Sequence, residues 1–298
     1  MLARLQQLIV LTLLLATGAW LAHWAAAGRP LLAVGGALLM VFGYALVLGF
    51  EFMVLRLAHG TDPAPRASGF QLLRAWWGEV ITAPSVFYWR QPFRSRAEPD
   101  HLPAHARGRR GVLLVHGFVC NRGLWNPWMR RLRADGIPFV AVNLEPVFGS
   151  IDRYDDIVEA GLRQLEAATG VQPVIVAHSM GGLAVRAWLR RTGNDERVQR
   201  VFTIGTPHHG TWLGRYSRTT NTRQMRLGGE WLRQLASAEP PARYQRFTCF
   251  YSHCDNIVFP PSTATLPGAD NRHIVGWSHV HLAFHPQVFE AVMRLLRS

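Results

Sequence analysis

The chain has 298 residues, about half of them apolar, and a formal net charge of +13 that comes from arginine alone, since no lysine is present. This length accommodates one large α/β domain and an additional segment. No recognisable nucleic-acid module accompanies the basic charge, so nucleic-acid binding is not expected. Three cysteines without framework spacing argue against a disulfide-rich secreted domain and fit a reducing compartment.

Two uncharged apolar runs, residues 5–28 and 31–50, open the chain. Each could cross about 30 Å of hydrocarbon at about 1.5 Å per helical residue. A secretory signal is the rival interpretation of the first run, with Ala25-Ala26-Ala27 as its cleavage site. The second run directly behind it favours a transmembrane hairpin over residues 1–55, turned at Gly28-Arg29-Pro30.

The arginines flanking the hairpin predict its orientation. The turn carries Arg29 alone, whereas Arg4 precedes the first run and Arg56, Arg66 and Arg74 follow the second. The positive-inside rule therefore places both ends in the cytoplasm. We expect a multi-pass protein of the inner membrane with two helices, whose remaining chain lies on the cytoplasmic side. Arginines on that face would also favour contact with anionic membrane lipids.

Residues 56–110 read as a juxtamembrane linker that contains an amphipathic helix. Apolar and aromatic side chains recur at helical spacing from Phe70 to Ile81, with Trp76 and Trp77 in the middle. Such a helix could lie at the lipid headgroups or cover one edge of a sheet. Residues 99–110 are polar, basic and broken by proline and glycine, so the catalytic domain is expected to span 111–298.

Apolar strand patterns alternate with helical patterns through the rest of the chain. Because parallel strands need such crossover helices, the pattern predicts a mostly parallel sheet of about six strands, covered on both faces. The pattern stops over residues 211–246, which could form a cap above the site or a surface excursion. The predicted strands cover residues 112–115, 138–144, 174–177, 198–204, 247–251 and 273–277.

The third of these strands runs directly into His178-Ser179-Met180-Gly181-Gly182, and a helical pattern follows at once. A serine on such a sharp strand-to-helix turn is held in strained backbone geometry with its hydroxyl exposed. Small residues around the turn allow the strand and the helix to approach closely. Ser179 is therefore the candidate nucleophile.

Two further strands end near residues that complete a catalytic triad. Asp255 and His279 follow the fifth and sixth predicted strands, which gives the order nucleophile, acid, base. Parallel strands bring all three loops to one side of the sheet. His279 would take the proton of Ser179, and Asp255 would orient the imidazole. The alternatives for these two roles are His281, His285 and Asp270, and His253 could line the pocket.

The loop after the first strand supplies part of a predicted oxyanion hole. The backbone amides of Phe118 and Met180 are placed to receive the oxyanion, and His116 is predicted to be structural, with its ring bonded to the loop. Adjacent His208 and His209 lack a third metal ligand at a suitable spacing. No metal or cofactor is expected.

Four separated segments resemble bacterial lipases of the α/β-hydrolase fold, including the small Bacillus lipases and the Pseudomonas and Burkholderia type. The resemblance implies hydrolysis of lipid-like esters, leaves residues 1–110 uncovered and places no calcium site. Ala177 stands where most relatives have glycine, although the Bacillus lipases have the same alanine. Trp277-Ser278 replaces the Val-Gly pair that those lipases have before their histidine, and the bulkier tryptophan could reshape the acyl pocket. The matching segments are Val-His-Gly-Phe (115–118), Ala-His-Ser-Met-Gly-Gly (177–182), Thr-Ile-Gly-Thr-Pro-His-His-Gly (203–210) and the end from Asp255 through Leu-Pro-Gly-Ala (266–269) to Gly-Trp-Ser-His (276–279).

The expected protein is a membrane-anchored lipase or esterase that acts through an acyl-enzyme on a lipid or acyl ester. A thioesterase or acyltransferase would share the same residues. The alternative from a different class is a non-catalytic membrane interaction module, which a complete triad disfavours. The sequence identifies no protein partner.

Overall fold

The structure is a computed structural model that describes residues 1–216 and 218–297. Its strands are β1 (Val112–Val115), β2 (Phe139–Ala141), β3 (Val174–His178), β4 (Arg200–Ile204), β5 (Phe247–Tyr251) and β6 (Asp270–His273). Its helices are α1 (Leu2–Ala26), α2 (Pro30–Phe42), α3 (Tyr44–Ala58), α4 (Gly69–Pro84), α5 (Gln91–Arg94), α6 (Asn126–Ala134), α7 (Asp155–Thr169), α8 (Met180–Thr192), α9 (Thr220–Gln224), α10 (Glu230–Ser237), α11 (His279–Leu282) and α12 (Pro286–Arg297).

Six strands of the described chain form one sheet in the order β2-β1-β3-β4-β5-β6, and every neighbouring pair is parallel. This confirms the expected parallel sheet. Strands β1 and β3 are buried along their whole length because helices cover both faces. Leu113 and Ile175 face a cluster that includes Leu162 of α7 and Leu183 of α8. Their neighbours on the opposite face pack against α6 and α12.

The two edge strands differ from their predicted bounds. Strand β2 is shorter than residues 138–144, and β6 lies at Asp270–His273 instead of 273–277. The first three residues of β6 are exposed and polar, so apolar periodicity could not locate it. Ile274 and Val275, which resembled strand residues, follow β6.

The N-terminal helices fold back on each other as a hairpin. Trp20 packs so closely on Gly36 that a Cβ there would lie 2.1 Å from its indole nitrogen, and the indole donates to the carbonyl of Leu32 at 2.9 Å. Helix α1 is long and apolar enough to cross a membrane, and the described residues contain a second such span if α2 and α3, bent by 51°, are counted together. A signal sequence near the N-terminus meets the same criteria.

Helices α3 and α4 pack against the domain that contains the sheet. Ser68 caps α4 in a reciprocal capping box with Gln71, which fixes where the helix begins. A small apolar cluster joins Phe52 and Leu55 of α3, Ala75 of α4, and two residues after β5, Cys254 and Phe259. We call this the docking cluster. It attaches the N-terminal segment to the loop that also contains Asp255.

Candidate active site

Ser179 lies at the turn between β3 and α8 in the strained geometry that the sequence predicts. Its φ of 54° and ψ of −129° lie in a region that L-residues rarely occupy. The turn is held because the Ser179 amide donates to the carbonyl of Ile204 at 2.9 Å. A Cβ on Gly181 would lie 2.6 Å from the carbonyl oxygen of His116, so only glycine fits where α8 begins.

Asp255 and His279 meet as a buried hydrogen-bonded pair. The imidazole Nδ1 of His279 lies 2.9 Å from Oδ2 of Asp255. The side chain of Asp255 is 2% exposed and that of His279 is 6% exposed. The other carboxylate oxygen, Oδ1, accepts the backbone amides of Ile257 and Val258 at 2.9 and 2.8 Å, which fixes the carboxylate. A proton on Nδ1 leaves Nε2 of His279 free to act as a base.

The charges around His279 oppose the effect of its burial. Burial alone would lower the pKa of His279, but Asp255 and, more weakly, Glu79 and Glu51 raise it above its ordinary value. The ring of His178 lies 4.7 Å from the ring of His279, and burial lowers the pKa of His178 so that it stays neutral. The site therefore favours an imidazolium at residue 279 when a proton arrives.

Ser179 and His279 line the same cavity, but the structure shows no hydrogen bond between the serine hydroxyl and the imidazole, both of which it describes. Such a contact is often long before substrate binds. The alternative residues lie in other contacts. His281 stacks on Trp277 with 3.7 Å between ring centroids, and Asp270 pairs with Arg272 at 2.7 Å.

The loop after β1 lies directly beside Ser179, because a Cβ on Gly117 would lie 2.7 Å from the Cβ of the serine. His116 is structural, as predicted. Its Nε2 accepts the amide of Leu144 at 3.0 Å, so Nδ1 carries the proton and donates to the carbonyl of Gly117 at 2.9 Å. Burial lowers the pKa of His116 to about 4, which keeps the ring neutral.

His116 therefore fixes the peptide unit that joins Gly117 to Phe118. The carbonyl and amide of a trans peptide point in opposite directions, so a bond that holds the carbonyl also sets the direction of the Phe118 amide. The second candidate donor, the amide of Met180, opens α8 and has no acceptor within its helix. These are the two amides that the sequence proposes for the oxyanion hole.

The cavity beside Ser179 has a volume of about 440 Å³ and a mostly apolar lining. The N-terminal segment supplies half of this lining, which the sequence did not indicate. None of the described residues of 211–246 takes part, and neither Trp277 nor His253 does. A cap function for 211–246 stays a prediction. The N-terminal lining residues are Tyr44, Val47, Leu48 and Glu51 of α3, Ala83 and Pro84 of α4, and Phe87 and Tyr88 of the π-helical turn Ser85–Arg90.

Two carboxylates near His279 were missed at the level of sequence. Glu79 of α4 is 2% exposed, and Glu51 of α3 borders the cavity. Each is the single acidic residue of its helix, among mostly apolar neighbours. That isolation is the signal that could have identified them, since a buried carboxylate requires partners.

Known proteins resemble this chain in both sequence and fold. The model of the alpha/beta hydrolase family matches residues 112–292. Lipase BlEst2 of Bacillus licheniformis, in its mature form, is 19% identical over 65% of this chain and 95% of its own, with a TM-score of 0.57. Aspergillus fumigatus lipase B is 18% identical over 69% of this chain, which spans only 57% of that enzyme, with a TM-score of 0.56. No curated protein matches the chain.

Proposed function

Because the chain belongs to the alpha/beta hydrolase family, we propose that it is a membrane-anchored serine hydrolase that cleaves carboxylic esters with lipid-like acyl chains. The observation that carries this proposal is the buried pair of His279 and Asp255, whose imidazole borders the same cavity as the strained Ser179.

The proposed reaction is acyl transfer to water. Nε2 of His279 takes the proton from Ser179 Oγ as the oxygen attacks the ester carbonyl, and Asp255 stabilises the imidazolium. The amides of Phe118 and Met180 would stabilise the oxyanion, where one donor typically contributes about 3 to 4 kcal/mol. His279 then protonates the leaving alkoxide, and an acyl-enzyme on Ser179 remains. Water, activated by the same imidazole, releases the acid and restores the serine.

The lining of the cavity supports an apolar acyl group as the part of the substrate that is bound. Val47, Leu48 and Phe87 contribute hydrocarbon and aromatic surface to the cavity that Ser179 and His279 also line. A chain that leaves water for such a surface gains about 0.8 kcal/mol per buried methylene. We therefore expect longer acyl chains to bind more tightly than acetyl groups.

The contacts of α1 support an anchor that is retained. Gln6 donates to the side chain of Gln91 at 2.7 Å in a buried contact, and Gln7 donates to the carbonyl of Pro92 at 2.6 Å. The N-terminal amino group pairs with Glu145 at 3.0 Å, so α1 begins beside the domain of the sheet. A cleaved signal would remove these contacts. A hairpin that starts and ends at the domain fits two spans whose ends share one side of the membrane.

Replacement of the nucleophile tests the proposal. In the full chain, Ser179→Ala should abolish hydrolysis of p-nitrophenyl esters while circular dichroism stays unchanged, because the covalent step needs the hydroxyl. A fluorophosphonate probe should label the unaltered protein and fail to label the variant. Undiminished hydrolysis by Ser179→Ala would exclude the proposed mechanism, and an unlabelled, inactive wild-type protein would favour a non-catalytic membrane module.

A further inference from the structure

The loop that begins with His279 is held by a carboxylate from outside the family-matched region. Oε1 of Glu79 accepts the backbone amide of Val280 at 3.1 Å, and Oε2 accepts that of His281 at 3.1 Å. These are the two residues directly after the candidate base. Glu79 lies 201 residues earlier in the chain, on α4.

Helix α4 approaches this loop more closely than a larger residue would allow. A Cβ on Gly78 would lie 2.3 Å from Nδ1 of His281, and Ala75, one turn earlier, is fully buried. Because Gly78 has no side chain and Ala75 has only a methyl group, the helix axis lies near the loop, and Glu79 reaches the two amides. Burial raises the pKa of Glu79, while its bonds to the loop favour the ionised form.

A second carboxylate reaches the same loop through one intermediate side chain. Asn256 accepts the backbone amide of His279 with Oδ1 at 3.2 Å and donates with Nδ2 to Oε2 of Glu51 at 2.6 Å. The direction of both bonds is fixed, because a carboxylate can only accept. The amide of His279 can only donate and so requires Oδ1 of Asn256, and Glu51 holds the Asn256 amide in that orientation through Nδ2.

We propose that Glu79 is a positioning residue for the catalytic base, and that Glu51 has the same role through Asn256. The inference rests on the proposed function of His279. Three consecutive amides, those of residues 279 to 281, are thus held by side chains that depend on α3 and α4. The family-matched region, 112–292, contains neither carboxylate. The hydrolase therefore holds its base correctly only while the N-terminal helices are docked.

A purely structural role would not require a carboxylate at this position. An ionised carboxylate is costly to bury, and it is kept where its acceptor atoms have specific donors. The described groups near the imidazole of His279 include the carboxylates of Asp255, Glu79 and Glu51, and the neutral ring of His178. Removal of the Glu79 charge should therefore change both the position of the base and its affinity for a proton.

Glu79→Gln is the test, made in the full chain in detergent and assayed with p-nitrophenyl esters. Glutamine keeps one oxygen but directs an NH₂ group at one of the two amides, so one bond is replaced by a repulsive contact. Because small displacements of reacting groups cost up to about 100-fold, kcat should fall roughly 10- to 100-fold, with KM within about twofold. The acid limb of the kcat/KM profile should move to lower pH, since one charge that raises the pKa of His279 is lost.

Glu196→Gln is the matched control. Glu196 is 84% exposed and pairs with Arg246 at 2.7 Å, before the start of β4 and thus at the opposite end of the sheet. Its kcat should equal that of the unaltered chain. If Glu79→Gln unfolds at a lower temperature but keeps the original kcat and pH profile, Glu79 only packs and the inference is overturned.

Glu51→Gln keeps the inference testable if Glu79→Gln does not fold. It leaves the loop contacts of Glu79 intact and should lower kcat by roughly 3- to 10-fold, because the neutral amide of glutamine holds Asn256 less strongly than an ionised carboxylate does. An unchanged kcat in a folded Glu51→Gln variant would contradict the role of Asn256. Should Ser179→Ala also remain active, the proposed function itself fails; should it be inactive while both glutamate variants are normal, only the present inference fails.

Discussion

Substitution of Gly205 by alanine should disturb Asp255 and His279, the proposed catalytic pair, more than it disturbs the fold. Gly205 follows β4 with a φ of +55°, and a Cβ there would lie 2.8 Å from Oδ2 of Asp255 and 3.1 Å from Nδ1 of His279. Ordinary contact begins at 3.4 Å, so the carboxylate must move by about 0.6 Å (3.4 minus 2.8). It cannot turn away freely, because two backbone amides hold its other oxygen.

The expected magnitude follows from that displacement. A misplacement of about 1 Å typically lowers the rate by about 100-fold, so we expect kcat/KM of Gly205→Ala to fall roughly 10- to 100-fold, or about 1.4 to 2.7 kcal/mol of transition-state stabilisation. Alanine at a positive φ also destabilises the fold by about 1 to 2 kcal/mol. This loss would lower the melting temperature by roughly 2 to 8 °C.

Gly193→Ala provides the control for this experiment. Gly193 ends α8 with a φ of +64°, and a Cβ there would meet no atom within 4 Å. Both variants carry the same kind of backbone strain, but only one pushes on the acid–base pair. Ester hydrolysis and thermal unfolding should be measured on both. Equal kcat/KM values for the two variants would refute the assignment of the pair, whatever their stabilities.

Two further predictions concern pH and stability. Asp255 and its neighbouring carboxylates raise the pKa of His279 above 6.5. Because the base must be neutral to act, kcat/KM should fall as the pH decreases, with a midpoint above that value. A pH profile with its midpoint below about 6 would contradict this prediction. Glu239→Ala should lower the free energy of unfolding by about 3 to 5 kcal/mol, since it leaves the fully buried Arg186 without its carboxylate. Urea denaturation monitored by tryptophan fluorescence measures this loss. A loss under about 1 kcal/mol would contradict the role of this buried ion pair.

Local patterns predicted most of the sheet and the turn that carries Ser179. Strands β1 and β3 are central and continuous apolar runs, so burial on both faces is visible in their composition. The role of His116 followed from topology, and its two hydrogen bonds confirm it. The polar edge strand β6 was misplaced by three residues at its start, because an exposed strand has no apolar periodicity to detect.

Local sequence patterns could not predict that the N-terminal segment supplies half of the cavity lining. The bonds from Val280 and His281 to Glu79 span about two thirds of the chain, and no local rule relates residues at that separation. The amphipathic character of α4 was visible, but it left two interpretations open. In the structure one face of α4 is buried through Ala75 and Glu79. The other face is exposed and apolar, with Phe70, Leu73, Trp77 and Ile81.

The docking cluster has a practical consequence for work with shortened chains. A protein cut back to begin at residue 111 would lose Phe52, Leu55 and Ala75, and would leave Cys254 and Phe259 bare to water. The cavity beside Ser179 would lose the half of its lining that the N-terminal segment supplies, and the loop of His279 would lose its hydrogen bonds to Glu79. Any activity measured on such a fragment would therefore differ from that of the full chain, and its exposed apolar patch would promote aggregation.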